Sequence, residues 1–520
     1  SSGTYSGKGN PARISGNSEC FSSVIPRSLL RRASLEGSMA NTKTERGRFS
    51  SGKKIDAVLR VEDLDLISRE EDITAAKLVL TTSAPGDGPK NAEHTEAPGT
   101  AIVERPDPRV RPNTATTASE KSGPVHDVKP IVVVGAGAAG MAAAISAARH
   151  GGDVFLFEKT AHVGGTVVNS LIHTIGGLYD SSGEFLNEGL SVELAQKLFL
   201  ASSQTRMRKI GRTHILNVSP DVYKGVVEAW MREESKIKIC CASTIIDVDT
   251  KNGLVRWITV STPDGAINLQ PKGLIDTTGS AEIIRMINPE LVTDNPCRAA
   301  GGLIFQMRGV EPGTMTFPHS IEVLGNIRRA AQKGVLPSEC ARAWIDMGVY
   351  DDEVYGKLFV PLTNNWIETE VFDKISQKAE RTVDELAAFL VTLPGFLKSK
   401  VTHIGKLGIR DGGQVKGEYC LTESDVTSGR QFYDAACRCC WPIEHWDQEK
   451  GVTLDYLPNG SYYEIPLRAL KVRNMDNVWT AGKCLSAEPR AQASARIVGC
   501  CFAMGEAVGK AAVEYRSVGD

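Results

Sequence analysis

The pattern of hydrophobic and polar positions divides the chain near position 130. Beyond it, short apolar runs alternate with stretches of helical period. Ile131-Val-Val-Val134 predicts a buried strand, Ala138–His150 a helix and Asp153–Phe157 a second strand. Val222–Glu234 has amphipathic spacing, and Ile237–Cys241 and Thr244–Val248 read as strands. Val255–Ser261 and Ala266–Ile275 read as a hairpin and a further strand, Val478–Ala481 as a last short strand, and Ala495–Tyr515 as a last helix. Strands that alternate with helices in this way predict an α/β fold with a parallel sheet. The apolar run Ile131–Ala148 approaches the length of a membrane span. Gly135, Gly137 and Gly140 punctuate it, so it reads as strand, turn and helix, with no membrane partner expected.

Residues 1–128 have a different texture. The first fifty or so are rich in Ser, Gly, Asn, Arg and Lys with few acids, and such a segment buries too little apolar surface to offset its ordering entropy. A low-complexity, largely disordered extension is expected, with an organelle transit peptide as the other reading. The chain opens on Ser, and Met39 stands as a candidate start. Ile55–Leu80 has the Ile, Leu and Val content for a strand and a helix, and Ser83–Pro130 reads as a linker. The expected organisation is therefore an extension at 1–128, a nucleotide-binding domain begun at 129–295 and completed at 451–520, and an inserted substrate or cap domain at 296–450.

Composition narrows the function classes. A net charge of −2 over 520 residues predicts no nucleic-acid or anionic-membrane partner. The 12 cysteines include adjacent pairs such as Cys240-Cys241 and Cys500-Cys501, a usage that fits a reducing, cytoplasmic setting. A small-molecule substrate is expected, and a homo-oligomer is left open.

The strongest chemical signal is Gly135-Ala136-Gly137-Ala138-Ala139-Gly140, a G-x-G-x-x-G that follows a strand and opens a helix. Gly135 permits the tight turn, Gly137 lets backbone approach a pyrophosphate, and Gly140 lets helix and strand pack closely. The helix N-terminus adds free N–H groups and the positive end of its dipole. Glu158 ends the second strand at the spacing of an acid that accepts from a ribose hydroxyl, which argues against a 2′-phosphate and hence against NADP. Lys159 follows it, and then Val163-Gly164-Gly165-Thr166, where paired glycines let backbone run beside an extended cofactor.

With G-x-G-x-x-G, then E-K, then G-G, the chain resembles the FAD-binding oxidoreductases of the glutathione-reductase-like fold, a Rossmann-like domain. Gly273-Leu-Ile-Asp-Thr-Thr278-Gly279 resembles the turn that passes under FAD in that fold, and Asn477–Ser486, with Gly482, resembles its last strand and small-residue turn. The helix from Arg496 and Val498 to Ala511 resembles its terminal helix, whose first amides face the flavin pyrimidine. In the C-terminal half, Gly408-Ile-Arg410, Gly417–Asp425, Trp441-Pro-Ile-Glu444 and Tyr463–Arg468 are similar to FAD-dependent oxidoreductases that include heterodisulfide-reductase-A-like flavoproteins. The resemblance spans about Pro130 to Val513. It implies FAD held by Gly135, Ala136, Gly137, Ala139, Gly140, Glu158, Lys159, Gly164, Gly165, Thr166, Thr278, Gly279, Gly482, Arg496 and Val498. One departure is Asp411-Gly412-Gly413, where relatives more often carry a Glu or Thr and a second Arg.

The implied function is hydride transfer between a small organic substrate and flavin, by a dehydrogenase or oxidase. An FAD monooxygenase fed by external NAD(P)H and an electron-relay subunit are the alternatives. No second G-x-G-x-x-G follows a strand, and Gly482-Lys483 stands where aromatic hydroxylases of the superfamily carry G-D. Four places carry candidate chemistry. His173 reads as a general base, a flavin attachment point or a satisfied buried histidine. Arg410 reads as a clamp for an anion or as a structural salt bridge. Glu444 and His445, between Trp441 and Trp446, read as a substrate pocket or a surface loop. Cys437-Arg-Cys-Cys440 contains a C-x-x-C, but no second ligand pair accompanies it and Ala435-Ala436 suggest a helix with small core cysteines, so no metal is expected.

Overall fold

A computed structural model describes residues 129–294, 299–363 and 368–516, so the expectations for residues 1–128, including Ile55–Leu80, lie outside the described residues. Five strands form one parallel sheet: β1 (Ile131–Val134), β2 (Val154–Phe157), β3 (Ile237–Cys240), β4 (Gly273–Asp276) and β9 (Val478–Thr480). Their order is β9-β4-β1-β2-β3, so the expected parallel α/β sheet is present. All four residues of β1 and of β4 are buried, as central parallel strands require when both faces are covered.

Helix α1 (Ala138–Arg149) returns from β1 over the sheet, and helix α4 (Val498–Glu514) crosses it. Their closeness depends on small residues. A Cβ on Gly505 would lie 2.1 Å from the Ala139 carbonyl oxygen, and one on Gly509 would lie 2.3 Å from that of Ala143. The helix expected over Ala495–Tyr515 begins at Val498; Ala495 instead ends a separate short helix, Pro489–Ala495, and Arg496 and Ile497 between the two are non-helical. The strand expected over Ala266–Ile275 is likewise two, Gly265–Leu269 and β4, broken around Pro271.

Residues 301–404 build a second sheet, antiparallel, from β5 (Gly301–Arg308), β6 (Trp344–Met347), β7 (Glu353–Val360) and β8 (Lys400–Ile404), in the order β6-β7-β5-β8. Period-2 alternation gives it two unlike faces. Leu303, Phe305, Met307, Ile345, Val354, Leu358 and Val360 pack with helices α2 (His319–Gln332) and α3 (Thr369–Leu390) into one apolar core. The other face carries Gln306, Asp346, Glu353, Tyr355, Lys357 and Phe359.

The segment Ala435–Cys439 is a correction to the helix expected there. It is a strand paired antiparallel with Tyr463–Pro466, and its exposure alternates along the chain. Alanine's helix propensity is a weak prior that tertiary pairing overrides. Among the described residues no helix is long and apolar enough to cross a membrane, and no three His, Cys, Asp or Glu side chains cluster as a metal site.

Candidate functional site

The turn between β1 and α1 has the geometry its glycines predict. Gly135 has φ +98°, and a Cβ there would lie 2.5 Å from the Thr277 carbonyl oxygen. A Cβ on Gly140 would lie 1.8 Å from the Gly135 carbonyl oxygen. Thr277 Oγ1 donates to the Val134 and Gly135 carbonyls, both at 2.8 Å, and fastens the turn to the end of β4. Gly137 differs from these two. A Cβ on it would meet only Gly165 Cα, at 3.9 Å, so the side of the turn that Gly137 presents is a cradle. The N–H groups of Ala138, Ala139 and Gly140 lie ahead of the first intrahelical bond, from Met141 N to Gly137 O. This is a fit for a pyrophosphate.

Glu158 is 8% exposed beside that turn. One carboxylate oxygen accepts from Ala136 N at 2.7 Å and the other from Thr160 N and Oγ1 at 2.8 and 2.9 Å. The oxygen facing Ala136 keeps a lone pair for a further donor, as a ribose hydroxyl would supply. Gly164 donates to the Ala136 carbonyl at 2.9 Å, which lays the Gly164-Gly165 turn against the first one, and Thr166 is exposed there. Lys159 points away into an exposed ion pair with Glu282. Thr278 is occupied by Asp276, whose buried carboxylate also caps the helix at Ile283 and Ile284.

From this turn a contiguous path leads to a group of half-buried charges. A Cβ on Gly482 would lie 3.3 Å from Ala139 Cβ, and a Cβ on Gly279 would lie 2.9 Å from Lys483 Cε. Lys483 Nζ donates to the Ile409 carbonyl at 2.7 Å, next to Arg410. Buried Gln492 ties the carbonyls of Arg410 and Lys483 together. The Arg410 guanidinium lies 3.4 Å from the Trp446 ring centroid and donates to the Ala300 carbonyl at 2.9 Å. Burial, with the Arg496 charge adding to it, pushes Arg410 down to about 9. Glu444 accepts from the indole N–H groups of Trp441 and Trp446 at 3.0 and 2.7 Å, and Arg496 donates to its backbone carbonyl. Burial raises the Glu444 carboxyl, but Arg496, the Trp446 indole and Arg410 outweigh it and hold the group below its ordinary range.

Arg410, Glu444 and Arg496 are thus brought together, with Arg496 just ahead of Val498 at the start of α4. Glu444 lies on a strand, Ile443–Asp447, instead of a loop. His445 alternates to the opposite side of that strand, lies near Asp447, and is not part of the group.

His173 belongs to a neighbouring network. Its ring is fully buried and stacks on Tyr355 with centroids 3.9 Å apart. Nε2 lies 3.2 Å from Asp346, which also holds Arg208 through both oxygens, and Nδ1 has no partner. Burial outweighs the Asp346 carboxylate and pushes His173 down to about 4, so the contact is a hydrogen bond from a neutral ring. The unfolded chain then binds a proton on this residue that the native chain refuses. Acidification from about pH 6.5 to 4 should therefore cost about 3 kcal/mol of stability at this one site. Thermal unfolding of wild type and His173→Asn across that window checks this. The mutant curve should be the flatter, and parallel curves would refute the assignment.

Nothing in the sequence singles out Asp346, Tyr355 or Lys357. The one available signal was the alternation in Glu353-Val-Tyr-Gly-Lys-Leu-Phe-Val360, a strand with a charged face.

Comparison with known proteins gives matches of three kinds. A family model described as FAD dependent oxidoreductase matches residues 130–516. Vinyl phenol reductase of Lactiplantibacillus plantarum is 61% identical over 41 residues, and the match spans only 8% of this chain and 8% of that protein. Among solved structures, a flavoprotein/dehydrogenase from Cytophaga hutchinsonii has a TM-score of 0.40 at 11% identity, covering 75% of this chain and 80% of that one. A geranylgeranyl bacteriochlorophyll reductase-like protein from Thermoplasma acidophilum has 0.37 at 14%, covering 74% and 77%.

Proposed function

The chain belongs to the FAD dependent oxidoreductases, an enzyme family whose cofactor is FAD, and on that premise we propose that it exchanges a hydride between a small organic substrate and the flavin. The observation that carries this reading is the contiguity of the dinucleotide turn with the half-buried group of Arg410, Glu444 and Arg496. Gly135, Ala136, Gly137, Ala139 and Gly140 would hold the pyrophosphate and Glu158 a ribose. Gly164, Gly165, Thr166, Gly279 and Gly482 would line the rest of the cofactor, with Arg496 and Val498 at its far end. FAD supplies the redox chemistry when bound, accepting a hydride from one molecule and passing its electrons to another.

The protein's own contribution is orientation and charge. The two indoles hold Glu444 in one place, and Trp446 fixes the plane of Arg410, so neither charge has to reorganise when a substrate arrives. Residues 296–450 are assigned the substrate cap, because the polar face of the antiparallel sheet meets His173 and Trp446. His173 is assigned a positioning part over a covalent one, since Tyr355 and Asp346 hold the ring.

An absorption spectrum of the purified protein before and after acid precipitation tests the reading. Flavin bands that pass to the supernatant are expected. Colour kept in the pellet would make the flavin covalent and return His173 to that role. A colourless protein that takes up no added FAD would overturn the proposal.

A further inference from the structure

The polar face of the antiparallel sheet contains a lysine that the reading above leaves unused. Along β7, Val354, Leu358 and Val360 point into the apolar core, so Glu353, Tyr355, Lys357 and Phe359 share the other face. Contacts locate two of these four. Tyr355 stacks on His173, and Phe359 stacks on Trp446 with centroids 5.9 Å apart. Lys357 projects from between them.

The neighbouring strand places Arg410 beside it. Phe359 pairs with Gly302 and Lys357 with Ile304 across β5. A Cβ on Gly302 would lie 2.7 Å from Arg410 Nη2, so the absence of a side chain there makes room for the guanidinium on this same face. Residues at diagonal positions of an antiparallel pair are within reach of long side chains. Lys357 and Arg410 therefore face one space.

Neither cation forms an ion pair among the described residues. The Lys357 side chain has no hydrogen bond or ion pair among the described residues, and the Arg410 guanidinium donates only to the Ala300 carbonyl. The nearby carboxylates are engaged: Asp346 by Arg208 and His173, Glu444 by two indoles. Burial lowers both groups from their ordinary ranges, with Arg496 adding to it at Arg410, and Arg410 and Arg208 adding to it at Lys357 against the pull of Asp346 and Glu444. Two half-buried cations that face one space are unfavourable until an anion shares them. A guanidinium held flat and an ammonium beside it match a carboxylate.

Resting on the function proposed above, we propose that Lys357 and Arg410 together bind a carboxylate of the substrate, so that the enzyme acts on a small organic acid. The dinucleotide turn supplies its own donors to the cofactor phosphates, which leaves this pair for the other reactant.

The test uses the flavin-loaded protein and a series of acids with their uncharged amides: acetate, benzoate and 3-phenylpropionate against acetamide, benzamide and 3-phenylpropanamide. Binding is read by perturbation of the flavin absorption and by calorimetry. At least one acid should bind at least tenfold more tightly than its amide. Lys357→Met should weaken that acid at least tenfold and leave the amide and the FAD content unchanged, while Lys357→Arg retains most of the affinity. Acids that bind no better than amides to the wild-type protein would overturn the proposal without any variant. So would a Lys357→Met protein that binds the acid within twofold of wild type, or one that loses FAD instead, which would assign the lysine to the cofactor. A yellow protein indifferent to acids loses only this inference. A colourless one that binds acids by calorimetry loses only the cofactor reading.

Discussion

Asp346→Ala is expected to destabilise the protein by about 3–5 kcal/mol, the cost of leaving buried charge without its partner. Asp346 accepts both guanidinium donors of Arg208, at 2.9 and 2.8 Å, and lies 3.2 Å from His173 Nε2. Its Oδ1 also accepts from Met347 N at 2.9 Å. Burial would raise the carboxyl, but His173 and Arg208 outweigh it and hold it far below the usual carboxylate range. Removing the carboxylate strands a cation that is only 17% exposed and orphans the second nitrogen of a ring that has already lost a partner for the first. Asp346→Asn keeps the volume and one acceptor and should cost less. Denaturant midpoints of the flavin-loaded protein, at unchanged slope, measure both. A loss below about 1 kcal/mol for the alanine variant would place the network among surface ion pairs of little weight. Because Asp346 sits on the antiparallel sheet and His173 follows the paired glycines, the same change should loosen the contact between them. His173 also stacks on Tyr355 of the same sheet.

What could be read from the sequence, and what could not, follows from distance along the chain. β1, α1 and β2 lie within a residue of where the pattern put them, because an apolar run, a glycine turn and a helical period are all local signals. The helix expected from Val222 begins at Pro220, with Ser219 accepting from Val222 N; the Ser-Pro-Asp start was there to be read. Ala435–Cys439 was misread because alanine's weak propensity was the only local cue and its partner strand lies beyond position 460. The candidate site divides in the same manner. The glycines, Glu158 and Arg410 stand in motifs. The Arg208–Asp346–His173 network joins positions 138 and 173 residues apart, and nothing local marks it. Lys357 occupies the middle case: the alternation of its strand is legible, but that its face meets His173 and Trp446 is not.

The glycines of the dinucleotide turn permit a separation of fold from cofactor binding, because two of them meet a methyl group so differently. In Gly140→Ala the new Cβ would fall 1.8 Å from the Gly135 carbonyl oxygen and 2.6 Å from Thr277 Oγ1. Both atoms belong to the bonds that fix the turn to β4. The helix must shift or the turn must open, an overpacking that costs about 1–3 kcal/mol or more, and FAD is lost together with stability. In Gly137→Ala the nearest protein atom would be Gly165 Cα at 3.9 Å, an ordinary contact. The apoprotein should keep the wild-type unfolding temperature within a few degrees, about 1 kcal/mol. Its FAD affinity should nevertheless fall by roughly 30- to 1,000-fold, as a methyl group displaces phosphates from amides worth about 2–4 kcal/mol. Titration of FAD into both apoproteins, with unfolding curves beside it, decides the matter. If Gly137→Ala binds FAD as wild type does, the pyrophosphate lies elsewhere and the cradle beside Gly137 is only a gap. If it unfolds as Gly140→Ala does, the turn is tighter than its contacts allow, and loss of flavin would say nothing about where the flavin sits.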